Sequence, residues 1–339
     1  MRTARIKLDG RSYYHVISRI VDGRLRLGKG EKEHFRRLMR AYATFSGLNI
    51  LTYSILGNHF HILLEVPERE HVDEEAVVLR MRAIYTDRQV REHLARWAMW
   101  RTQGQEALVG RELDCLRSRM YDVSPFMKSL KQRFSQWYNR HAGRRGTLWE
   151  DRFKSILVEG EVNALATIAA YIDLNAVRAG LVGDPKDYRW CGYAEALGGS
   201  APARLGLGRV MDTLGAGGVW AQVRPAYRRH LYGTGEERGV DAAGRALRAG
   251  ISRAMVEKTI KDGGKLSRHA LLRCRVRYFS DGVALGGREF VENVFRLNRE
   301  RFGPRRRAGA RAMRFGEWGG LVAARDLRLA PIAVSPGIR

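Results

Sequence analysis

Residues 49–66 read NILTYSILGNHFHILLEV, two runs rich in aromatic and β-branched residues around Gly57-Asn58. Such residues fit a pleated, half-buried surface, and Gly-Asn suits a tight reversal. The spacing therefore predicts strands over 49–56 and 59–66 joined as an antiparallel hairpin. The two-residue period of a strand puts Phe60, Ile62, Leu64 and Val66 on one face and His59 and His61 on the other. The apolar face needs a helical layer, and the flanking sequence offers one. Residues 12–21 (SYYHVISRIV) read as a strand closed by Asp22-Gly23. Residues 31–46 carry Phe35, Leu38, Met39, Tyr42 and Phe45 at helical spacing and stop at Gly47. Residues 152–159 (RFKSILVE) read as a short strand, and 162–179 as a helix ended by Gly180, with Asp184-Pro185 opening the exit loop. This order predicts an α+β fold, an antiparallel sheet with helices on one face and the other face free for a site.

At 339 residues the chain is long for one compact domain, and the composition changes along it suggest several units. Residues 1–197 hold the strands and helices above. Within them, about 70–125 is charged and helical in pattern, through Leu79, Met81, Ile84 and Tyr85, then Leu94, Trp97 and Trp100. It reads as a helical insertion. A further helix follows, marked by Phe126, Leu130, Phe134 and Trp137, and then a basic, glycine-broken loop at 142–150. Residues 198–240 are rich in Gly and Ala with weak periodicity, which reads as a linker. Residues 241–325 read as a helical, basic C-terminal region. Its apolar groups Leu271, Leu272, Val276 and Phe279, then Phe290, Val291, Val294 and Phe295, precede Arg305, Arg306, Arg307, Arg311 and Arg314. DNA binding is one role for it, although no helix-turn-helix pattern is evident. There is no internal repeat.

Lys and Arg total 61 against 36 Asp and Glu, a formal charge of +25. Self-repulsion of that size opposes compaction, and a polyanion is the simplest compensating partner. Arginine forks match phosphate oxygens. Cys115, Cys191 and Cys274 form no CxxC, which argues against a disulfide framework or a zinc module and for a reducing, cytoplasmic setting. The N-terminus has no apolar signal region, and no run of about 18 apolar residues suggests a membrane span. The absence of a GxxxxGK[ST] loop argues against a fused helicase.

His59 and His61 share a strand face, so two imidazoles can meet one ion. On the helix at 162–179, Tyr171, Asn175 and Arg178 fall at i, i+4 and i+7, off the apolar face of Leu165, Ile168, Ala169, Ile172 and Ala176. A phenol and an amide oxygen thus project together. With His59, His61 and Asn175 as three neutral ligands, a divalent ion keeps its full charge to polarise a phosphodiester, and Tyr171 is the nucleophile. Imidazole and amide donors suit Mn²⁺ and tolerate Mg²⁺. Zinc is less favoured without thiolates, though left open. Tyr138 is a rival nucleophile with no ligand-type side chain four residues on. Lys128, Lys131, Arg133, Arg140, Arg144, Arg145, Arg152, Lys154 and Arg178 are the cations expected to hold DNA, with Trp137 and Trp149 among them as stacking platforms.

These residues carry a resemblance. Asn58-His59-Phe60-His61 resembles the His-hydrophobic-His motif of HUH endonucleases. Tyr-Ile-Asp-Leu-Asn-Ala-Val-Arg-Ala-Gly at 171–180 resembles the YIxxNPVRAG segment of REP-associated tyrosine transposases. Residues 144–155 (RRGTLWEDRFKS) resemble that family's RxGxLWExRxKS stretch, and Tyr14-His15-Val16 through Arg19 resembles its first strand. The likeness spans about 1–195. It implies a ferredoxin-like HUH sheet, with the family's tyrosine falling on Tyr171 and its third ligand on Asn175. It also implies single-strand DNA cleavage beside hairpin (REP or palindromic) elements, a 5′-phosphotyrosine and a free 3′-hydroxyl. A monomer or homodimer associated with the nucleoid fits this reading. Ala176 stands where the family has proline, and alanine lets the helix run on past Asn175. Alternatives from the residues alone are a DNA-binding protein that keeps the fold without catalysis, a zinc hydrolase on the histidine pair, and a replication initiator of the HUH class.

Overall fold

A computed structural model describes residues 5–161, 163–232, 276–313 and 318–327. The elements run β1 (Ser12–Arg19), α1 (Lys29–Ser46), β2 (Asn49–Ile55), β3 (His59–Val66), α2 (Glu74–Met81), α3 (Asp87–Thr102), α4 (Glu106–Arg117), α5 (Val123–His141) and β4 (Lys154–Val158). They continue with α6 (Ala164–Asp173), α7 (Asn175–Arg178), α8 (Gly192–Leu197), α9 (Ala201–Asp212) and α10 (Trp220–Tyr232). The last described ones are α11 (Tyr278–Asp281), β5 (Ala284–Gly286), α12 (Arg288–Leu297), β6 (Arg311–Ala312) and β7 (Val322–Ala324). The fold is α+β, around one seven-stranded sheet ordered β2-β3-β1-β4-β5-β7-β6.

The hairpin of β2 and β3 forms as the period-two pattern requires, and β3 pairs antiparallel with β1 from Ser12↔Val66 to Arg19↔His59. Phe60, Ile62 and Leu64 then meet Phe35 and Met39 of α1 and Phe126, Leu130 and Phe134 of α5, in one apolar layer. The opposite face is also covered. Leu63 of β3 and Ile156 and Val158 of β4 lie against Leu165 and Ile168 of α6, with α9 and α10 extending the layer. The expected bare face is therefore confined to one end of the sheet, where polar side chains replace the apolar ones. A bulge between Ile50 and Thr52 shifts the β2 register. It places Leu51 in the α6 layer, and the Thr52 hydroxyl also points there, donating to Asp173 at 2.9 Å.

The stretch expected as a linker, 198–240, is different where it is described. Residues 201–212 and 220–232 are helices packed on the sheet, and 233–240 lie outside the described residues. Small residues weaken the periodicity there but permit close approach. A Cβ on Gly206 of α9 would sit 2.6 Å from the Ile50 and Leu51 carbonyl oxygens of β2. Much of the expected C-terminal helical region, 241–275 and 314–317, also lies outside the described residues. Its described part is not purely helical. β5 pairs in parallel with β4, so the sheet is not wholly antiparallel, and β7 and β6 follow antiparallel. The physical reason is the free edge of β4, whose unpaired backbone groups recruit a strand. The inserted helices α2–α4 gather a small core of their own from Val77, Met81, Val90, Trp97 and Leu113, with Phe45 of α1. Among the described residues no helix is long and apolar enough to cross a membrane.

The α6 layer is tied down by Asp173, fully buried. Its carboxylate accepts from Thr52 Oγ1 on β2 at 2.9 Å, from the Tyr193 amide of α8 at 3.1 Å and from the Tyr227 hydroxyl of α10 at 2.5 Å. Burial raises its pKa to about 6, against the lowering effect of those hydrogen bonds.

Two outcomes follow from this packing. Gly206→Ala should destabilise the protein by about 1–3 kcal/mol, since backbone atoms rather than a flexible side chain must yield. Denaturant titration measures it, and a neutral result would mean that α9 does not press on β2. Asp173 has a folded pKa above its unfolded value, so its stabilisation is complete below the unfolded pKa and is lost as pH rises through about 6. Relative to Asp173→Asn, the wild type should lose up to about 3 kcal/mol between pH ~4 and ~7. Paired chemical melts at several pH values measure the difference, and a constant difference across that range would refute the assignment.

Candidate active site

The sheet and the α6–α7 segment bring four of the expected residues to one cavity of about 630 Å³. His59 and His61 line it from β3, and Tyr171 and Asn175 from the helical side, with Arg178 beside them. The helix does not run on unbroken despite Ala176. It breaks at Leu174, between α6 and α7, although Leu174 N–H still reaches the Ala170 carbonyl and Arg178 N–H the Leu174 carbonyl. Tyr171 and Asn175 still reach one cavity, and i→i−4 bonds continue on either side of Leu174.

Asn58 Oδ1 accepts from His59 Nδ1 at 2.7 Å. That puts a proton on Nδ1, so a neutral His59 would carry its lone pair on Nε2. The Asn175 amide nitrogen faces this Nε2 at 3.3 Å, and the Asn175 oxygen accepts from Arg178 at 3.2 Å. The Arg178 guanidinium also lies 3.8 Å from the centre of the Tyr171 ring. The His61 ring stands edge-on to Tyr171, centroids 6.1 Å apart. Tyr171 is 3% exposed, so its hydroxyl is reached through the cavity and not across an open surface.

Burial, with the neighbouring His15, His59, Arg178 and Arg19, holds the His61 pKa well below the ordinary histidine value. Burial and Arg178 hold His15 down to about 3, against the raising effect of the Phe279 carbonyl. Both rings are neutral at physiological pH, as a metal ligand must be.

Among the described residues no group of three or more His, Cys, Asp or Glu is placed to hold an ion. A metal centre on His59 and His61 would need a further donor of another kind, and the Asn175 amide, which faces His59 at 3.3 Å, is placed to supply one. The donor set of two imidazoles and one amide oxygen fits a divalent ion of the Mn²⁺ or Mg²⁺ type. It requires the Asn175 amide to rotate, exchanging the nitrogen that now faces His59 for the oxygen that now faces Arg178.

Of the expected DNA-holding cations, Arg152, Lys154 and Arg178 line the cavity. Lys131 does not. Its ammonium donates to the Asp151 carbonyl at 2.7 Å and lies over Trp149, and burial lowers its pKa to about 8. It braces the 142–153 loop. Arg144 bonds the Thr147 carbonyl at 3.1 Å within that loop, and Arg145 is exposed away from the cavity. Neither tryptophan is a stacking platform. Trp149 is buried against Phe35, Phe60 and Phe134, and Trp137 is already stacked near-parallel with His34 and His141. Both sit at core spacing, and that use of the ring wins. Tyr138, the rival nucleophile, is buried in the α1–α5 layer.

Sequence reasoning missed several residues of the site. Arg19, Glu150, Asp151, Ser280 and Asp281 line the cavity, Asp281 paired with Lys154 at 2.8 Å. Phe279 packs edge-on against Tyr171, ring centres 5.0 Å apart. The C-terminal segment therefore walls a site whose candidate chemical groups lie between residues 59 and 178, which no local pattern signals. His15 was legible: it shares strand parity with Tyr13 and Ile17, and the β1–β3 pairing puts that face beside His61.

No family model matches the chain, and no curated protein matches it either. Among solved structures, a REP-associated tyrosine transposase bound to a REP hairpin is similar at 12% identity and a TM-score of 0.36, over 59% of this chain and 86% of that one.

Proposed function

We propose that this chain is a divalent-metal-dependent single-strand DNA endonuclease and strand transferase, working beside hairpin elements like the REP-associated tyrosine transposases its motifs resemble. The observation that carries the reading is the meeting of Tyr171, Asn175, His59 and His61 at one cavity, although the helical pair and the strand pair are more than a hundred residues apart. The apolar layers of the sheet have no use for the polar groups of His59, His61 and Asn175 at the end they occupy.

A divalent ion, when bound, would supply charge that polarises a phosphodiester for attack. His59, His61 and Asn175 would hold that ion. The chain's own groups do the rest. Tyr171 is a poor nucleophile at a free pKa of about 10, and the fixed cations around a neutralised phosphate help it. Its phenolic oxygen forms a bond to phosphorus, and the P–O3′ bond breaks. The 3′ oxygen leaves as a hydroxyl, taking up one proton as the phenol loses one. The 5′-phosphate remains on Tyr171 as an ester, so attack by another 3′-hydroxyl rejoins the strand without ATP. Arg152, Lys154 and Arg178 orient the strand through its phosphates, and Glu150 and Asp151 on the rim oppose indiscriminate anion binding.

Incubating the full-length protein with labelled hairpin-flanked single-stranded DNA and Mn²⁺ should give a covalent adduct that survives denaturing electrophoresis. Tyr171→Phe should cut adduct yield by at least about 1,000-fold, as losing a nucleophile does, whereas Tyr138→Phe should retain it and EDTA should abolish it. An adduct that persists in Tyr171→Phe would sink the assignment. Binding without any adduct in the wild type would instead support the non-catalytic DNA-binding reading.

Arg152→Ala and Lys154→Ala should each lower the salt dependence of single-strand binding, by about 0.7 in the log–log slope for each phosphate that goes unneutralised. Arg145→Ala, away from the cavity, should change it less. Fluorescence anisotropy over a salt series decides, and equal slopes for all three variants would place the strand elsewhere.

A further inference from the structure

A second cavity, of about 710 Å³, adjoins the candidate site. Arg152, Lys154, Ser280 and Asp281 line both. Strand geometry explains the junction. Side chains alternate along a strand. Ile156 of β4 joins the α6 layer and Lys154 reaches the candidate site, whereas Phe153, Ser155 and Leu157 line the second cavity. β5 pairs with β4 only at Leu157 and Val158. Ahead of that point no strand among the described residues lies on this edge of β4, and the two cavities meet around it. The Lys154 ammonium and the Asp281 carboxylate, 2.8 Å apart, stand at the junction. We propose that the second cavity is a subsite for an unpaired nucleotide next to the scissile phosphate, with Phe153 stacking its base. The proposal rests on the strand-cleavage reading above and adds to it a determinant of which strand is taken.

A nucleotide asks two things of such a subsite, a flat apolar surface for the base and positive charge for the phosphate. Both are present. Phe153 is half-buried, rests against the α1–α5 layer and lines the cavity. The Arg5 guanidinium lies over its ring, 5.1 Å from the centre. Arg5 is itself anchored by the Ser124 hydroxyl and by Asp122 at 3.9 Å, so the ring is backed by a fixed group. Leu157 and Val283 extend the apolar surface beside it.

The charged side chains of this lining are Arg5, Lys7, Arg152 and Lys154 against Asp281 alone. Asp122, outside the lining, pairs with Lys7 at 2.5 Å and still leaves the balance positive. The candidate site instead carries Glu150, Asp151 and Asp281 among its cations. A strand whose phosphate lies at Arg152 and Lys154 therefore meets more uniform positive charge on the side of the second cavity. A small anion would use those cations and leave the ring idle, whereas a nucleotide uses both. In the RxGxLWExRxKS pattern that residues 144–155 resemble, Phe153 falls on a variable position. It is also not among the residues that line the candidate site. Its contribution is thus to strand selection.

The test reads binding, and EDTA keeps cleavage out of it. Full-length protein is titrated with hairpin-flanked single-stranded DNA carrying the fluorescent base 2-aminopurine at each unpaired position in turn. One position beside the cleaved phosphate should be quenched by stacking. Phe153→Leu keeps an apolar side chain against the core but has no ring, and it should remove that quench. Its Kd, read by anisotropy, should rise about 5-fold or more for strands that contain this nucleotide. Strands trimmed short of it should bind the variant and the wild type alike. Phe153→Trp should restore both quench and affinity. Thermal melts check folding. If Phe153→Leu fails to fold, Phe153→Trp and photocrosslinking of the wild type carry the test. Iodouracil at the quenched position should then attach to the peptide that holds Phe153.

A quench that persists in folded Phe153→Leu would overturn the proposal. So would an equal loss of affinity for long and trimmed strands, or crosslinks that map only to segments outside the lining of the second cavity. The cleavage reading fails separately, if the wild type binds the strand yet gives no adduct with Mn²⁺. The quench still decides in that case whether Phe153 holds a base. Absence of any single-strand binding overturns both.

Discussion

The buried carboxylate of Asp173 is the interaction on which the site's geometry depends. It gathers donors from β2, α8 and α10 onto the end of α6, two residues after Tyr171 and two residues before Asn175, which opens α7. Burying a carboxylate is costly unless its oxygens are satisfied. Three protein donors meet that requirement, and in doing so they fix the rotation of α6 about its axis. With that rotation set, Tyr171 and Asn175 can face only the polar end of the sheet. Had an apolar side chain stood at 173, the helix would be held by packing alone, which tolerates small rotations better than a hydrogen-bonded network does.

The polar end of the sheet meets this helix with three imidazoles in a confined space. The His15 and His61 pKa values are held down chiefly by burial, with Arg178 acting on both and His15 and His59 acting more strongly on His61. The same Arg178 stacks on Tyr171 and holds the Asn175 oxygen. One cation thus touches both the proposed nucleophile and the proposed third ligand, and a phosphate entering the cavity would compete with those interactions. In a chain with a formal charge of +25, the cavity rim is nevertheless mixed in sign, with Glu150, Asp151 and Asp281 among its basic residues. The excess charge is a property of the whole chain and not of this pocket.

The alternation of residues 49–66 determined the hairpin and the shared face of His59 and His61, because side chains on a strand must alternate. Helical spacing determined α1, α5 and the common stripe of Tyr171, Asn175 and Arg178. These are local consequences of backbone geometry, so a linear pattern suffices to read them. Tertiary structure alone decided that both faces of the sheet are covered, that 201–212 and 220–232 are helices and not a linker, and that β5 extends the sheet to bring Phe279 against Tyr171 and Asp281 to the cavity. It also decided that Trp137 and Trp149 serve packing. Those outcomes depend on which apolar surfaces and strand edges find each other across long separations, and composition carries no record of that choice. His15 lies between the two cases: its face was written in the strand, and its partner was set by the register of β1 against β3.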